Sequence, residues 1–308
     1  MRHILVLLNA NAGTLLDRDA DDIESLVEKG LGGDDRRVEV HLLKGKAFLD
    51  AIRKSGTGDH DVVIVGGGDG SVSLAVSVLC QTGKTLGILP LGTLNLLARD
   101  IGVPLKIEEA IAALSTAPTT QIDLGSLNGR YFHTISGMGF FSQMARAREM
   151  ARKRQFWRFL AVAFAAFQAL RRSGRIELEV SVDGATRRFE ALAALVSVNQ
   201  FSGTGWRRER LDGGLLEIHI VEERGALARL KAGADMVTDS WRDNPGIISL
   251  TGRNIVVRRP NRDRSWVSTD GELERERMPL TYEIQPETLC VLMPAKAPTL
   301  PDQSGSTS

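Results

Sequence analysis

Short, unbroken runs of Val, Ile and Leu alternate with helical patterns through the first third of the chain. His3–Leu8, Arg37–Leu43, Asp61–Val65 and Thr85–Leu89 read as strands. Helical spacing covers Asp19–Lys29, Ala47–Lys54, Val72–Gln81, Leu94–Asp100 and Ile107–Leu114. Continuous apolar strands separated by helices predict a mostly parallel sheet covered on both faces.

The rhythm changes after Ile122. One long helical stretch, Phe140–Arg172, precedes a series of short strands at Arg175–Val182, Thr186–Phe189, Leu192–Val198, Leu215–Val221, Ile255–Arg258, Leu280–Ile284 and Leu289–Met293. Asp183-Gly184 between the first two is a hairpin signal, and Ala226–Asp239 adds one more helical pattern. The pattern predicts an α/β domain over 1–122 and an antiparallel β-sandwich domain over 123–294. The Pro-, Ser- and Thr-rich tail, 295–308, is expected to be disordered.

A length of 308 residues suits two domains, and the 43% hydrophobic and 25% charged residues are those of a globular protein. The net charge of +1 gives no reason to expect a nucleic-acid partner. Cys80 and Cys290 fit no zinc or redox spacing and are expected to be buried free thiols. Met1–Asn9 is apolar but short and leads into a glycine turn, as a strand does and a secretory leader does not. The apolar run Phe159–Phe167 is about half the roughly 20 residues of a membrane span, so a cytoplasmic, soluble protein is expected. Arg146–Arg158, with Phe156 and Trp157 interleaved, is a basic stretch suited to peripheral contact with an anionic membrane. Its other reading is the solvated end of a core helix.

Two strand ends carry candidate chemistry. Asp61–Val65 runs into Gly66-Gly67-Gly68-Asp69-Gly70-Ser71, with a helix directly after. Glycines let backbone N–H groups approach phosphate oxygens, and the helix N-terminus favours the anion. An Asp in such a loop repels phosphate unless it works with a metal or a hydroxyl, which singles out Asp69. The competing reading is a tight turn with a capping Asp or Ser. A dinucleotide fingerprint is excluded because Ser71 stands where its third glycine belongs. Gly83-Lys84-Thr85 is no Walker loop, since Val78 replaces the required first glycine. The second strand end, Gly92-Thr93-Leu94-Asn95, repeats the arrangement after Thr85–Leu89 and Pro90. Both turns therefore belong at the carboxyl edge of one sheet, where open α/β folds bind ligands.

With these motifs in order, the chain resembles the diacylglycerol kinase and sphingosine kinase superfamily, in particular its bacterial diacylglycerol kinase-like lipid kinases. Asn9-Ala10-Asn11-Ala12-Gly13 is similar to the family's Asn-Pro-x-x-Gly, with Ala10 for Pro. Gly67-Gly68-Asp69-Gly70-Ser71 is similar to its Gly-Gly-Asp-Gly-Thr, and Gly92-Thr93-x-Asn95 with Ala98-Arg99 to its third motif. Asp123 with Gly125, the Phe132…Gly137-x-Gly139 stretch, Val198-Asn199, Asp212-Gly213-Gly214 and Asp270-Gly271-Glu272 continue the series.

The resemblance implies a fold like that of NAD kinase and phosphofructokinase, and ATP-dependent phosphorylation of a lipid alcohol such as diacylglycerol. Asn9, Ala10, Asn11, Ala12, Gly13, Gly67, Gly68, Gly70, Ser71, Gly92, Thr93 and Asn95 would line the nucleotide site. Asp69, Asp123 and Asp212 would serve Mg²⁺, and Asp270 or Glu272, with Asp69, the chemistry. Taken by itself, Asp270-Gly271 is a hairpin turn. Leu96 and Gly213 stand where many relatives carry Asp, which leaves Asp212 as the one carboxylate for a structural cation, and the Thr that some relatives carry on the second strand is not evident in Val40–Lys44. The alternatives are a soluble-metabolite kinase of the NAD kinase type and a non-catalytic nucleotide- or lipid-binding relative. A homodimer is compatible with the sequence.

Overall fold

The structure is a computed structural model that describes residues 2–12, 15, 19–139, 175–201, 208–222 and 244–295. The helical patterns expected at Phe140–Arg172 and Ala226–Asp239, the basic stretch Arg146–Arg158, Gly13 and the tail after Ala295 lie outside those residues.

The first half alternates strands and helices. It runs β1 (Arg2–Asn9), α1 (Ala20–Leu31), β2 (Arg36–Leu43), α2 (Gly45–Ser55), β3 (Val62–Gly67), α3 (Asp69–Leu79), β4 (Thr85–Pro90), α4 (Leu96–Asp100) and α5 (Ile107–Thr116). The strands pair in parallel in the order β2-β1-β3-β4. Every residue of β3 and β4 is buried, which is why they read as continuous apolar runs. In α1 the carboxylate of Asp19 accepts from the Asp21 amide and caps the helix. Its buried positions Ile23, Val27 and Leu31 recur every fourth residue and turn one face to the core.

The second half is antiparallel. β5 (Thr119–Leu127), β6 (Arg130–Phe132) and β7 (Ile135–Gly139) precede β8 (Ile176–Val182), β9 (Ala185–Ala191), β10 (Ala193–Val198) and β11 (Leu216–Val221). β12 (Ile247–Gly252), β13 (Asn254–Arg258), β14 (Arg264–Thr269), β15 (Glu272–Arg277) and β16 (Leu280–Leu292) complete the chain. A 6-stranded sheet has the order β12-β11-β10-β7-β14-β15. It packs against β8, β13 and the first half of β16 around Met138, Leu178, Val196, Ile218, Ile255, Val267 and Tyr282. The buried Tyr282 phenol meets the Ser136 hydroxyl at 3.1 Å, and burial pushes its pKa up. The expected hairpin at Asp183-Gly184 forms, both residues having the positive φ that a type I′ turn requires.

The two strands expected at Leu280–Ile284 and Leu289–Met293 are one strand, β16, with its register shifted between Gln285 and Leu289. Its first half pairs with β13, and its second half pairs in parallel with β4. One 10-stranded sheet therefore runs from the parallel layer into the sandwich. Leu289, Val291 and Leu292 are buried in the core of the first half, each side chain contributing roughly 1.5–3 kcal/mol. Cys80 is buried and Cys290 only partly so; both are free thiols.

Candidate active site

β1, β3 and β4 end side by side at Asn9, Gly67 and Pro90, so the turns that follow them begin on one sheet edge. At the first, Asn9 Oδ1 accepts from the Asn11 amide at 3.0 Å and bends the chain into a short turn. At the second, α3 starts at Asp69, and its cap residue Gly68 supplies no side-chain hydrogen bond. The Ser71 and Val72 amides donate to Gly68 O at 2.9 and 3.1 Å, which leaves the Asp69 and Gly70 N–H groups at the helix end to a ligand. A side chain at Gly70 would meet nothing within 4 Å among the described residues.

The second and third turns touch. A Cβ on Gly92 would stand 2.5 Å from the Gly68 Cα, so only glycine permits this approach. Asn95 adopts φ +51 and closes its own turn, accepting from Gly92 N at 2.9 Å and donating to Gly92 O at 3.0 Å. The Asp69 carboxylate locks the pair together. Its Oδ2 accepts from Asn95 N at 3.1 Å and its Oδ1 from Leu96 N at 2.8 Å. Each oxygen keeps a further lone pair, and Asp69 is only partly buried. That donor set fits a divalent cation completed by phosphate oxygens and water. Thr93 is exposed beside it.

The other expected carboxylates are differently employed. Asp123 is buried, with Oδ2 accepting from Gly214 N at 2.7 Å and Oδ1 from Glu287 N at 2.9 Å. It ties β5 to the 211–214 turn and to the bulge of β16. Asp212 is exposed and paired with Arg210 at 3.2 Å. Gly213 lies so close to Asn199 that a Cβ there would be 2.8 Å from Asn199 Oδ1. The 212–214 turn therefore offers one carboxylate, already paired. Asp69, Asp123 and Asp212 form no common ligand group among the described residues.

Asp270-Gly271 is the two-residue turn between β14 and β15, with φ +48 and +87. Asp270 is buried. Its Oδ2 accepts from His133 N at 2.8 Å, and its Oδ1 from Thr134 N at 2.9 Å and Ile135 N at 3.2 Å. Glu272, at the head of β15, is exposed.

Comparison with known proteins matches two family models in succession. The diacylglycerol kinase catalytic domain covers residues 3–127. The YegS C-terminal NAD kinase beta sandwich-like domain covers residues 139–293, half of the chain. The chain belongs to the diacylglycerol kinase-like lipid kinase family. An uncharacterized Synechocystis protein is 26% identical over 79% of this chain and 57% of its own length. A diacylglycerol kinase of Staphylococcus haemolyticus is 28% identical over 58% of this chain and 56% of its own. The chain thus spans little more than half the length of these curated relatives. A diacylglycerol kinase structure from Bacillus anthracis superposes with a TM-score of 0.70 at 20% identity, covering 95% of this chain and 96% of that one, and shows the shared fold.

Three residues join the two halves: Asp100 and His133 carried no expectation, and Arg208, which beside Arg207 and Arg210 reads in the sequence as facing lipid headgroups or solvent, is instead buried. Arg208 is 2% exposed; its Nη2 donates to Asp100 Oδ2 at 2.7 Å and its amide to Asp100 Oδ1 at 3.1 Å. Nη1 donates to the carbonyls of His133 at 2.7 Å and Val198 at 2.9 Å. Asp100 ends α4, directly behind the Asn95 turn, so the pair clamps the glycine turns to the strands that carry Asp270. His133 lies between them, its Nε2 buried with no hydrogen-bond partner among the described residues and 3.4 Å from Asp270 Oδ2.

Burial holds the His133 pKa below the usual imidazole range; Arg208 lowers it further, while Asp270, Asp69 and Asp100 act in the opposite sense. The hairpin and the second glycine turn are thus both close enough to act electrostatically on one imidazole. Because the folded state holds this ring neutral, its contribution to stability is complete above about pH 6.5. It is lost as the pH falls from there toward the depressed folded value, where the unfolded chain binds a proton and the folded chain does not. Urea midpoints are expected to fall between about pH 7.5 and pH 5, and to fall less in His133→Gln. Equal slopes for the two proteins would remove His133 from this account.

Proposed function

We propose that this protein transfers the γ-phosphoryl group of ATP to the hydroxyl of a lipid alcohol, diacylglycerol or a close relative. The observation that carries the reading is the pair of glycine turns pressed together and pinned by Asp69. It supplies a bare helix end for phosphates and a carboxylate beside it. Phosphoryl transfer needs those two elements and a base near the acceptor hydroxyl.

In this reading Gly67, Gly68 and Gly70 bind phosphate oxygens through backbone N–H groups and Ser71 through its hydroxyl, its amide being held by Gly68 O. The Asn9–Gly13 turn, Gly92, Thr93 and Asn95 shape the rest of the nucleotide pocket. Mg²⁺ at Asp69 would offset the negative charge that builds on the phosphates during transfer. Asp69 also orients the third turn by holding the Asn95 and Leu96 amides. Asp123 and Asp212 act on the fold, through the contacts given above. Asp270 is a positioning residue, because its oxygens are committed to three amides. Glu272 is exposed at the same hairpin and takes the hydroxyl proton. The acceptor must be drawn from a membrane, and the basic stretch Arg146–Arg158 supplies charge for an anionic surface. No helix among the described residues is long and apolar enough to cross one.

The test is incubation with ATP labelled in its γ-phosphate, Mg²⁺ and diacylglycerol in mixed micelles. Label is expected in the organic phase as a phosphorylated lipid. Label transferred to NAD and to no lipid would replace this reading with a soluble-metabolite kinase. Nucleotide binding without transfer to any alcohol would leave a binding protein.

A further inference from the structure

Two of the five histidines, His3 and His60, lie at the edge of the sheet opposite the glycine turns, and His41 approaches them from β2 through Glu39. His3 is the second residue of β1, His41 lies on β2 two residues after Glu39, and His60 is two residues before β3. One ring nitrogen from His3, one from His60 and one oxygen of Glu39 all lie within 4.8 Å of one another. This is the only such group of His, Cys, Asp or Glu among the described residues.

The contacts are specific. His60 Nδ1 is 3.3 Å from His3 Nδ1, with the rings nearly perpendicular at 79°. His3 Nε2 is 3.6 Å from Glu39 Oε2, and the other oxygen, Glu39 Oε1, is 2.7 Å from His41 Nε2. The backbone beneath is fixed. His3 N donates to Asp61 Oδ2 at 2.8 Å, Asp61 N to His3 O at 2.9 Å, and Lys84 Nζ donates to the carbonyls of Gly58 and His60.

One nitrogen in this cluster is left over. Of the two facing Nδ1 atoms, one donates and the other accepts. If His3 accepts there, its Nε2 carries a proton, and Glu39 Oε2 at 3.6 Å is too far to take it. If His3 donates there, Nε2 is a bare lone pair. In both cases a buried nitrogen has no hydrogen-bond partner among the described residues, a costly arrangement unless something else binds it.

We propose that His3, Glu39 and His60 form a site for one divalent transition metal of the Zn²⁺ class. Two imidazoles and one carboxylate suit Zn²⁺, Co²⁺ or Ni²⁺ and suit Mg²⁺ poorly. Ligand atoms about 2.0–2.1 Å from a tetrahedral metal stand roughly 3.3 Å apart. The cluster closes to that spacing by side-chain rotation, since all three residues are only partly buried. His3 binds through one nitrogen only. His41 holds the second oxygen of Glu39 and so aims the first, as partners of ligating carboxylates do. The fourth position is left to water. The site joins the beginnings of β1 and β3 to the middle of β2, and His3 is about 20 Å along β1 from Asn9. Its role is therefore structural and independent of phosphoryl transfer.

The test uses the full chain, stripped with a chelator and dialysed. Titration with Zn²⁺ is expected to saturate at one metal per chain and to raise the melting temperature. Co²⁺ is expected to show the intense visible bands of four-coordinate geometry. His60→Asn and Glu39→Gln are expected to weaken Zn²⁺ binding by more than about 100-fold and to abolish the rise in melting temperature. Zn²⁺ bound as tightly by the variants as by the parent would place the metal elsewhere and overturn the proposal. So would six-coordinate Co²⁺ spectra in the unaltered protein, a measurement that needs no variant to fold.

Discussion

Exchanging Glu272 for Gln is expected to lower kcat for lipid phosphorylation by roughly 10²- to 10⁴-fold, the usual worth of a general base, without moving the unfolding midpoint. The side chain is exposed, so its loss uncovers no buried group. The amide keeps the size and cannot take the hydroxyl proton. Asp270→Asn separates the two acidic residues of the hairpin. Asn tolerates the left-handed backbone that Asp270 adopts at φ +48, so the turn itself survives. What changes is the acceptor, because one carboxylate oxygen becomes an NH₂ group facing backbone amides. Leaving one or two of the His133, Thr134 and Ile135 amides unpaired costs about 1–3 kcal/mol each. Asp270→Asn should therefore melt early, and Glu272→Gln should melt like the parent and turn over slowly. Full activity in Glu272→Gln, with a stable but inactive Asp270→Asn, would move the base to Asp270.

Much of the first half is legible from the chain because its signals are local. β3 and β4 are apolar throughout, Asp19 caps α1 within two residues, and the glycine turns follow their strands directly. The start of α3 was expected three residues late, at Val72, because nothing in Gly68-Asp69-Gly70 favours a helix. Asp69 belongs to it because its carboxylate is held by residues of another turn. β5 was hidden for a different reason, since it straddles the change of rhythm at Ile122 and serves both halves. β15, Glu-Leu-Glu-Arg-Glu-Arg, has the composition of a solvated segment. It forms an edge strand whose Glu274 and Glu276 pair with Arg130 on β6. The residues that assemble the site were the least visible. Arg208 sits among Arg207 and Arg210 with nothing local to distinguish it, and its partner Asp100 is 108 positions away.

That partnership leads to the largest expected effect on stability. Arg208→Met should cost about 3–5 kcal/mol, because it leaves the Asp100 carboxylate buried without a counter-charge. The carbonyls of His133 and Val198 lose their donor at the same time. Asp100→Leu alone should cost a similar amount by stranding the guanidinium. The double variant should recover much of the loss, since a well-packed apolar pair often replaces a buried ion pair at little cost. The cycle of four proteins then measures the coupling, read from urea midpoints. Simple additivity would mean that the two side chains act separately. A structural role alone predicts that the double variant, once stable, is also active. The clamp does more than stabilise, because it holds α4, which carries the Asn95 turn, against the strand segment whose amides seat Asp270. The stable double variant should therefore show a lower kcat at saturating ATP and lipid. Restored stability with unaltered turnover would reduce the clamp to a structural tie and leave the hairpin and the glycine turns aligned by β16 alone.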